Sequence, residues 1–375
     1  VTPVPLDLPL RPPEAAELAS IVFSQAERKP LNEDVRGRIA SRLSALRFES
    51  LRPFPLSLDR DPVHHSTYYM AIDGQNGEPL LLHMAPAAAP TSAIFPKPLL
   101  IGRMRQANGP EMIVNAIPFG PRDHDSLERF ASKIDAAFLP RAQASRPALL
   151  ASATPAAFEA FRRVFKSSRK NVAAIEAQPG ESPREFYYSG IWAAIRAGWR
   201  EGYTAGVTLA VNSDGPGALR DAIAEAAPLS RFAVDVSLLV GAPGDADLTF
   251  KYGAALKAGE GAHELMRQVR AAKRITRPFD FEFSLQRAAE PTAAHELAFC
   301  LEWLKARGHA AQLAAPCIHT ESDLSALAAA ARSAQCTLTL DATGDLAAMF
   351  SVTAGRVNAR IQCGDPAEIA AELFG

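Results

Sequence analysis

Ala205-Gly206-Val207-Thr208-Leu209-Ala210-Val211, then the helix-like Ala218–Ala226, then Phe232-Ala233-Val234-Asp235-Val236-Ser237-Leu238, form a strand–helix–strand unit whose reading decides the fold. Both strand runs are near-continuously apolar, as expected of parallel strands covered on both faces. The unit recurs on either side. Further runs with β character stand at Ala148–Ala153, Asn171–Ala177, Phe279–Leu285, Ala311–Pro316, Thr337–Asp341 and Val357–Gln362. Helix-like segments separate them at Pro155–Lys166, Glu185–Arg200, His263–Lys273, Ala293–Arg307, Ser322–Ser333 and Leu346–Val352, with Pro366–Leu373 last. Eight strand-then-helix repeats from Arg146 to Gly375 predict an α/β domain, a closed (β/α)8 barrel of the TIM-like type. An open doubly wound sheet is the alternative, but the glycine-rich phosphate turn it calls for after the first strand is missing. Leu248–Lys251, short and polar at its end, reads as an excursion within a loop.

Residues 1–145 have a different character and predict an α+β extension domain preceding the barrel at 146–375. Pro12 and Pro13 precede a helix at Glu14–Arg28, and Asn32 is placed to cap Glu33–Phe48. Thr67–Ile72 and Pro79–Met84 flank Asp73-Gly74-Gln75-Asn76-Gly77, the composition of a hairpin turn. Met112–Ile117 is a further strand, and Asp125 with Glu128 has the spacing of a capping box. The Ala/Pro run Ala85–Pro96 reads as a surface loop or linker.

Composition bounds the function. Of 375 residues, 48% are hydrophobic, enough for a large core. Lys plus Arg number 40 and Asp plus Glu 41, so no global field favours nucleic acid or an acidic membrane, and a small molecule is the expected partner. The Pro-rich start, without a basic and then apolar leader, and the lack of an 18-residue apolar run predict a cytoplasmic chain that does not span a membrane. Cys300, Cys317, Cys336 and Cys363 show no CxxC spacing and read as buried thiols.

In a barrel of this kind, chemistry collects at the carboxyl ends of the strands. Those positions hold Ser152, Thr154, Glu176, Gln178, Asn212, Asp214, Asp235, Ser237, Glu282, Gln286, Arg287, His319, Asp341, Asp345 and Asp365. His319 precedes Thr320, a candidate cap for the next helix, and His295 follows Thr292 in the same way. His64-His65 resembles a metal pair only superficially, since neighbours on a strand face opposite ways. Trp192 and Trp199, seven apart on a helix, read as core.

From about Arg146 onward, ordered short stretches resemble the bacterial tagaturonate/fructuronate epimerases, metal-dependent barrels that invert one carbon of a keto-sugar acid. They are Leu150-Ala151-Ser152-Ala153-Thr154-Pro155, Ala177-Gln178, Gly202-Tyr203-Thr204, Phe232-Ala233-Val234-Asp235 and, most specific, Phe279-Asp280-Phe281-Glu282-Phe283-Ser284. Glu290-Pro291-Thr292, Glu302, Leu304, Arg307-Gly308, Leu313-Ala314, Leu338-Thr339-Leu340 and Gly355-Arg356 complete the series. The resemblance implies a base and a metal-binding histidine after the third strand, where this chain has Val211 and Asn212. It implies an acidic pair after Ser284, where Gln286 and Arg287 stand, and a late histidine-centred run, where Asp341 stands. Valine takes no proton, arginine stays charged, and a lone carboxylate is a weak cation site.

Two functions of different class are therefore expected. One is a degenerate relative that binds a sugar acid, or serves as a catalytically silent scaffold. The other is an active isomerase or epimerase on a related sugar acid, in which Asp235, Arg287 and Asp341 carry the chemistry. Gln178, Asn212, Arg287 and His319 are the candidate substrate-binding residues, Arg287 as a bidentate clamp on a carboxylate or as the ion-pair partner of Asp235 or Glu282. A divalent metal is compatible with either function, but its implied ligands are substituted; which residues would hold it, and the oligomeric state, stay open.

Overall fold

The computed structural model describes residues 10–26, 30–88, 94–95, 99–105, 111–143, 148–167, 172–211, 216–242, 247–319, 322–341 and 357–360. The chain divides into two compact units, Val1–Leu139 with Ile191–Glu201, and Pro140–Gly190 with Gly202–Gly375.

The first unit opens with helices α1 (Pro12–Ala26) and α2 (Glu33–Ser44). Asn32 caps α2, its Oδ1 accepting the Val35 N–H at 3.0 Å. Strands β1 (Arg52–Pro53), β2 (Asp59–Arg60), β3 (Tyr68–Asp73), β4 (Pro79–Pro86), β5 (Leu99–Arg105) and β6 (Glu111–Pro118) form an antiparallel sheet in the order β1-β3-β4-β6-β5, with β2 on β3. The β3–β4 turn is the expected one, with Gly77 at φ +73°, a conformation that glycine adopts without strain. Leu18, Val22 and Ile39 of the helices share one buried cluster with Met70, Leu80, Leu82 and Met84 of the strands. Tyr69, of opposite parity on β3, joins an aromatic group with Phe119, Phe130 and Phe138. Helix α3 (His124–Lys133) begins one residue before Asp125, so Asp125 is not its cap; its carboxylate lies 3.6 Å from Arg129 one turn on. Of the expected Ala85–Pro96 loop, Ala85 and Pro86 end β4, and Phe95 is buried against Tyr69. His64 and His65 lie in a turn held by Asp61, which accepts the His64 N–H at 2.8 Å. Trp192 and Trp199, in the segment that groups with this unit, are both buried.

The second unit contains β7 (Ala148–Ala151), α4 (Pro155–Ser167), β8 (Val172–Glu176), the start of α5 (Pro183–Ala197), β9 (Tyr203–Ala210), α6 (Pro216–Ala226), β10 (Arg231–Asp235) and α7 (Leu248–Ala272). It continues with β11 (Asp280–Ser284), α8 (Ala294–Ala306), β12 (Leu313–Ala315), α9 (Leu324–Ser333), β13 (Thr337–Asp341) and β14 (Val357–Arg360). The eight strands pair in parallel and in sequence, and β14 pairs β7 to close the ring. Each of the eight apolar runs coincides with a strand. The helices expected at Leu346–Val352 and Pro366–Leu373 lie outside the described residues.

Three local expectations are corrected. Leu248–Lys251 is the first turn of α7, because Asp247 caps it by accepting the Thr249 and Phe250 N–H groups at 2.9 and 3.4 Å. Helix α8 begins without Thr292 as its cap; Glu296 reaches back to the Ala293 N–H at 2.9 Å, and the Thr292 hydroxyl accepts from Cys317 N at 3.0 Å. Helix α9 is capped by Asp323, which accepts from Ala326 N at 2.9 Å; Thr320, itself outside the described residues, lies three residues too early. Cys300, Cys317 and Cys336 are buried free thiols, and Cys363 lies outside the described residues. No helix among the described residues is long and apolar enough to cross a membrane.

Strand alternation places Phe281 and Phe283 on the outer surface of β11, towards α7. Gly259 lets the helix approach, since a Cβ there would stand 3.1 Å from the Phe283 ring. The His263 ring stacks on Phe281 at 4.6 Å, and its Nδ1 lies 3.1 Å from Nδ1 of His309, a contact that needs one shared proton. Burial, and then the His309 and Arg267 charges, hold His263 down to about 4, against a partial pull upward from Glu264. Glu260 faces the pair from the same helix, 3.8 Å from His309 Nε2. A folded-state value below the unfolded one means that stability is fully present above the unfolded value and is lost as pH falls through it towards about 4. The expected loss between pH 7 and 4 is roughly 1–3 kcal/mol after allowance for partial exposure. Melting curves of wild type and His263→Phe should diverge at neutral pH and converge on acidification; parallel curves would contradict this.

Candidate functional site

Arg231, Ala233 and Asp235 alternate with Phe232 and Val234 along β10, so one set faces into the ring and the other faces the helices. The inward set carries the charge. Asp235, at the carboxyl end of β10, is 6% exposed. Its Oδ1 accepts from Ser237 N at 3.0 Å and Ser237 Oγ at 2.5 Å, which fixes the first turn after the strand. Ser237 Oγ in turn accepts from Arg287 N at 3.0 Å, and Arg287 Nε stands 3.4 Å from Asp235 Oδ2. The β10 and β11 ends are thus joined through three residues. Arg287 remains open to solvent, its side chain 66% exposed.

The loop that carries Arg287 is clipped to the end of β12. Thr292 N donates to Cys317 O at 2.8 Å, Cys317 N to Thr292 Oγ1 at 3.0 Å, and the Cys317 thiol to Ala288 O at 3.3 Å. Burial raises the Cys317 thiol above its ordinary value, which keeps it protonated and a donor. His319 is exposed, with Nε2 3.9 Å from the Cys317 sulfur and its N–H on Ser322 Oγ at 2.9 Å. Gln178 is exposed in the turn after β8, where its N–H donates to Glu181 Oε2 at 3.0 Å. Asp341 ends β13 opposite Arg360, but its side chain, like the whole of Asn212, lies outside the description. Of the six residues singled out by sequence, Asp235 and Arg287 are therefore brought together. Arg287 pairs with Asp235 rather than with Glu282.

Sequence reasoning missed the partner of Glu282. Arg231, 2% exposed, places Nη2 3.0 Å from Glu176 Oε1 and Nη1 3.5 Å from Glu282 Oε2. Thr208 Oγ1 donates to the same Glu176 oxygen at 2.8 Å, and Thr339 Oγ1 to Glu282 Oε2 at 3.1 Å. The pairing register sets Arg231 beside Gly206, and a Cβ on residue 206 would meet Arg231 Nε at 2.6 Å. Glycine at this strand position makes room for the guanidinium. A second missed group joins two helices, where Lys251 of α7 is 2.7 Å from Glu296 and 3.6 Å from Glu290. These two acids hold the Lys251 ammonium above its usual range despite burial, so it serves as a buried clamp between α7 and α8.

The donors do not fit the metal that the resemblance implies. Val211 and Gln286 offer no anionic donor, and the Arg287 guanidinium would repel a cation. Among the described residues, no three His, Cys, Asp or Glu side chains stand together as a metal-binding group.

No family model matches the sequence, and no curated protein does. Solved structures do match. The glycerol-bound forms of fructuronate-tagaturonate epimerase UxaE from Cohnella laeviribosi match with TM-scores of 0.61 and 0.62 at 15% identity. Its native form matches with a TM-score of 0.58 at 16% identity. In each case the match covers 87% of this chain and 74% of that chain. That share is larger than residues 146–375 alone, so the likeness extends beyond the stretches that carried it in the sequence. The chain is thus a distant structural likeness of fructuronate-tagaturonate epimerase, sharing its fold.

Proposed function

We propose that the second unit is a complete (β/α)8 barrel that binds a sugar acid at the carboxyl ends of β10 and β11 and does not epimerise it. The observation that carries this is the Asp235–Ser237–Arg287 arrangement. Arg287 meets Asp235 through Nε, and among the described residues no acceptor stands on Nη1 or Nη2. That edge is free to hold a ligand carboxylate through two parallel bonds. Asp235 is poorly suited to be a base, because Oδ1 takes two bonds from Ser237 and Oδ2 faces Arg287. The substitutions at Val211, Gln286 and Arg287 remove the proton-transfer groups that the epimerase resemblance implies.

A hexuronate that binds the folded state must raise the melting temperature of the full chain. Arg287→Ala is expected to weaken hexuronate binding by about tenfold to a hundredfold, the worth of a charged bidentate contact, and to lower the melting temperature of the free protein only modestly, since Asp235 keeps its two bonds from Ser237. Titration calorimetry on both forms decides the matter. A panel of hexuronates without effect on melting, with or without Mn²⁺, would sink the proposal. Measurable inversion of tagaturonate or fructuronate would overturn the claim of silence.

A further inference from the structure

Three large apolar side chains stand far out into solvent among the described residues: Val63, 74% exposed, Leu238, 75%, and Phe250, 73%. Val63 belongs to the first unit. Leu238 and Phe250 both stand at the carboxyl end of the barrel strands, one just after β10 and the other in the first turn of α7. A single exposed apolar residue needs no explanation, but two on one strand-to-helix connection, at the end where such barrels bind ligands, do.

The backbone at both positions is fixed. Leu238 is the middle residue of a turn in which Leu239 N donates to Val236 O at 2.9 Å and Val240 N to Ser237 O at 3.3 Å. Phe250 N donates to the Asp247 cap at 3.4 Å, and Gly241 N donates to Lys251 O at 2.7 Å, which ties the two sides of the connection together. Val236 and Ser237 before Leu238, and Lys251 and Tyr252 after Phe250, are buried. The two side chains are thus held out from a packed base. Both adjoin Arg287. Ser237 Oγ accepts from Arg287 N at 3.0 Å, and Leu238 is the next residue. Lys251, next to Phe250, stands 3.6 Å from Glu290, three residues beyond Arg287.

A free hexuronate satisfies the Arg287 cation and leaves this apolar pair in water. What covers the pair is small: a phenylalanine buries about 150–250 Å² and a leucine less, well short of the roughly 800 Å² that each side of a stable protein interface covers. A cation beside two apolar side chains fits an anion that carries an apolar group of its own. A glycosidic link also locks the sugar ring and leaves no carbonyl beside which a proton is drawn off. Such a ligand asks for none of the proton transfer that Val211 and Gln286 do not supply.

We propose that this end of the barrel takes a uronide, a sugar acid joined through its anomeric carbon to an aromatic group, with the carboxylate on Arg287 and the aromatic group over Leu238 and Phe250. The inference rests on the clamp at Arg287 and names the class of sugar acid that it holds.

Calorimetric titration of the full chain with D-glucuronate and with 4-nitrophenyl β-D-glucuronide tests it. Wild type should bind the aryl glucuronide tighter by about tenfold or more, the worth of covering one large apolar side chain. Phe250→Ser and Leu238→Ser should each lower that preference by about threefold or more, and the double variant should bring it close to one, with glucuronate binding unchanged. Both side chains are exposed, so the melting temperature of the free protein should hold. Arg287→Ala should weaken both acids by a similar factor. Equal affinity of wild type for the two acids, or a preference that survives in the double variant, would overturn the apolar contact and leave the clamp standing. Concentration-dependent dimerisation that the double variant abolishes would assign the pair to a second copy of the chain and overturn the proposal likewise. If wild type binds neither acid, or Arg287→Ala binds both as well as wild type does, the clamp fails and the inference falls with it.

Discussion

Arg231→Met is expected to destabilise the second unit by about 3–5 kcal/mol, the usual cost of removing one partner from a buried ion group. The guanidinium lies between Glu176 and Glu282, and Glu282 has no exposed side-chain surface on which to recover hydration. Methionine keeps much of the length and volume, so the loss is one of charge rather than of packing. Urea unfolding should show a lower midpoint at an unchanged slope. Adding Glu282→Leu should recover a large part of the loss, because a well-packed apolar replacement of a buried ion pair is often neutral or better. A single variant as stable as wild type would mean that Arg231 is not placed between the two acids.

The second large effect is expected at Gly198, just beyond α5 and within the first unit. Its φ of +62° is the left-handed conformation that closes a helix, and its N–H returns to Ile195 O at 2.9 Å. A Cβ there would lie 2.4 Å from Leu56 Cβ and 2.6 Å from Leu56 O, and the carbonyl cannot swing away as a long side chain would. Leu56 O is also the acceptor of Arg200 Nη1 at 2.7 Å, while Arg200 reaches Asp59 and Asp135 at 2.6 and 2.7 Å. Gly198→Ala should therefore cost roughly 2–4 kcal/mol, combining left-handed strain with overpacking. Gly180→Ala is the control. Its φ of +86° is strained in the same way, but nothing lies within 4 Å of the added carbon, so about 1–2 kcal/mol is expected. Equal losses in the two variants would show that the Leu56 contact is not the cause.

The parts of the fold that were legible in the sequence are those written into one segment at a time. Val207, Leu209, Phe232 and Val234 sit in near-continuous apolar runs, and a parallel strand covered by helices requires such runs locally. The start of α7 misled because Leu248-Thr249-Phe250 has β character, and only Asp247, three residues upstream of Phe250, announces the helix. Thr292 and Thr320 look as suitable for capping as Asp323 does. Thr292 is instead drawn to Cys317, twenty-five residues away, by the packing of the β11 and β12 loops.

The candidate site divides along the same line. Asp235 and Arg287 were legible because the fold tells where to look, at strand ends. Arg231 was not, since a charged residue at the head of an apolar run reads as the end of the preceding turn. What makes it an interior residue is the pairing of β10 with β9, which opposes it to Gly206 and gives its side chain room to enter. No property of either segment alone contains that fact.

The same guanidinium constrains how the ring can assemble. Arg231 comes from β10, Glu176 from β8, Glu282 from β11 and Thr339 from β13. A fragment that stopped after β9 would enclose Glu176 without this cation, and one that began at β11 would enclose Glu282 without it. Among the described side chains, this ion group takes an acid from each piece and its cation from β10, so its stabilisation is felt only when β8, β10 and β11 stand in one ring.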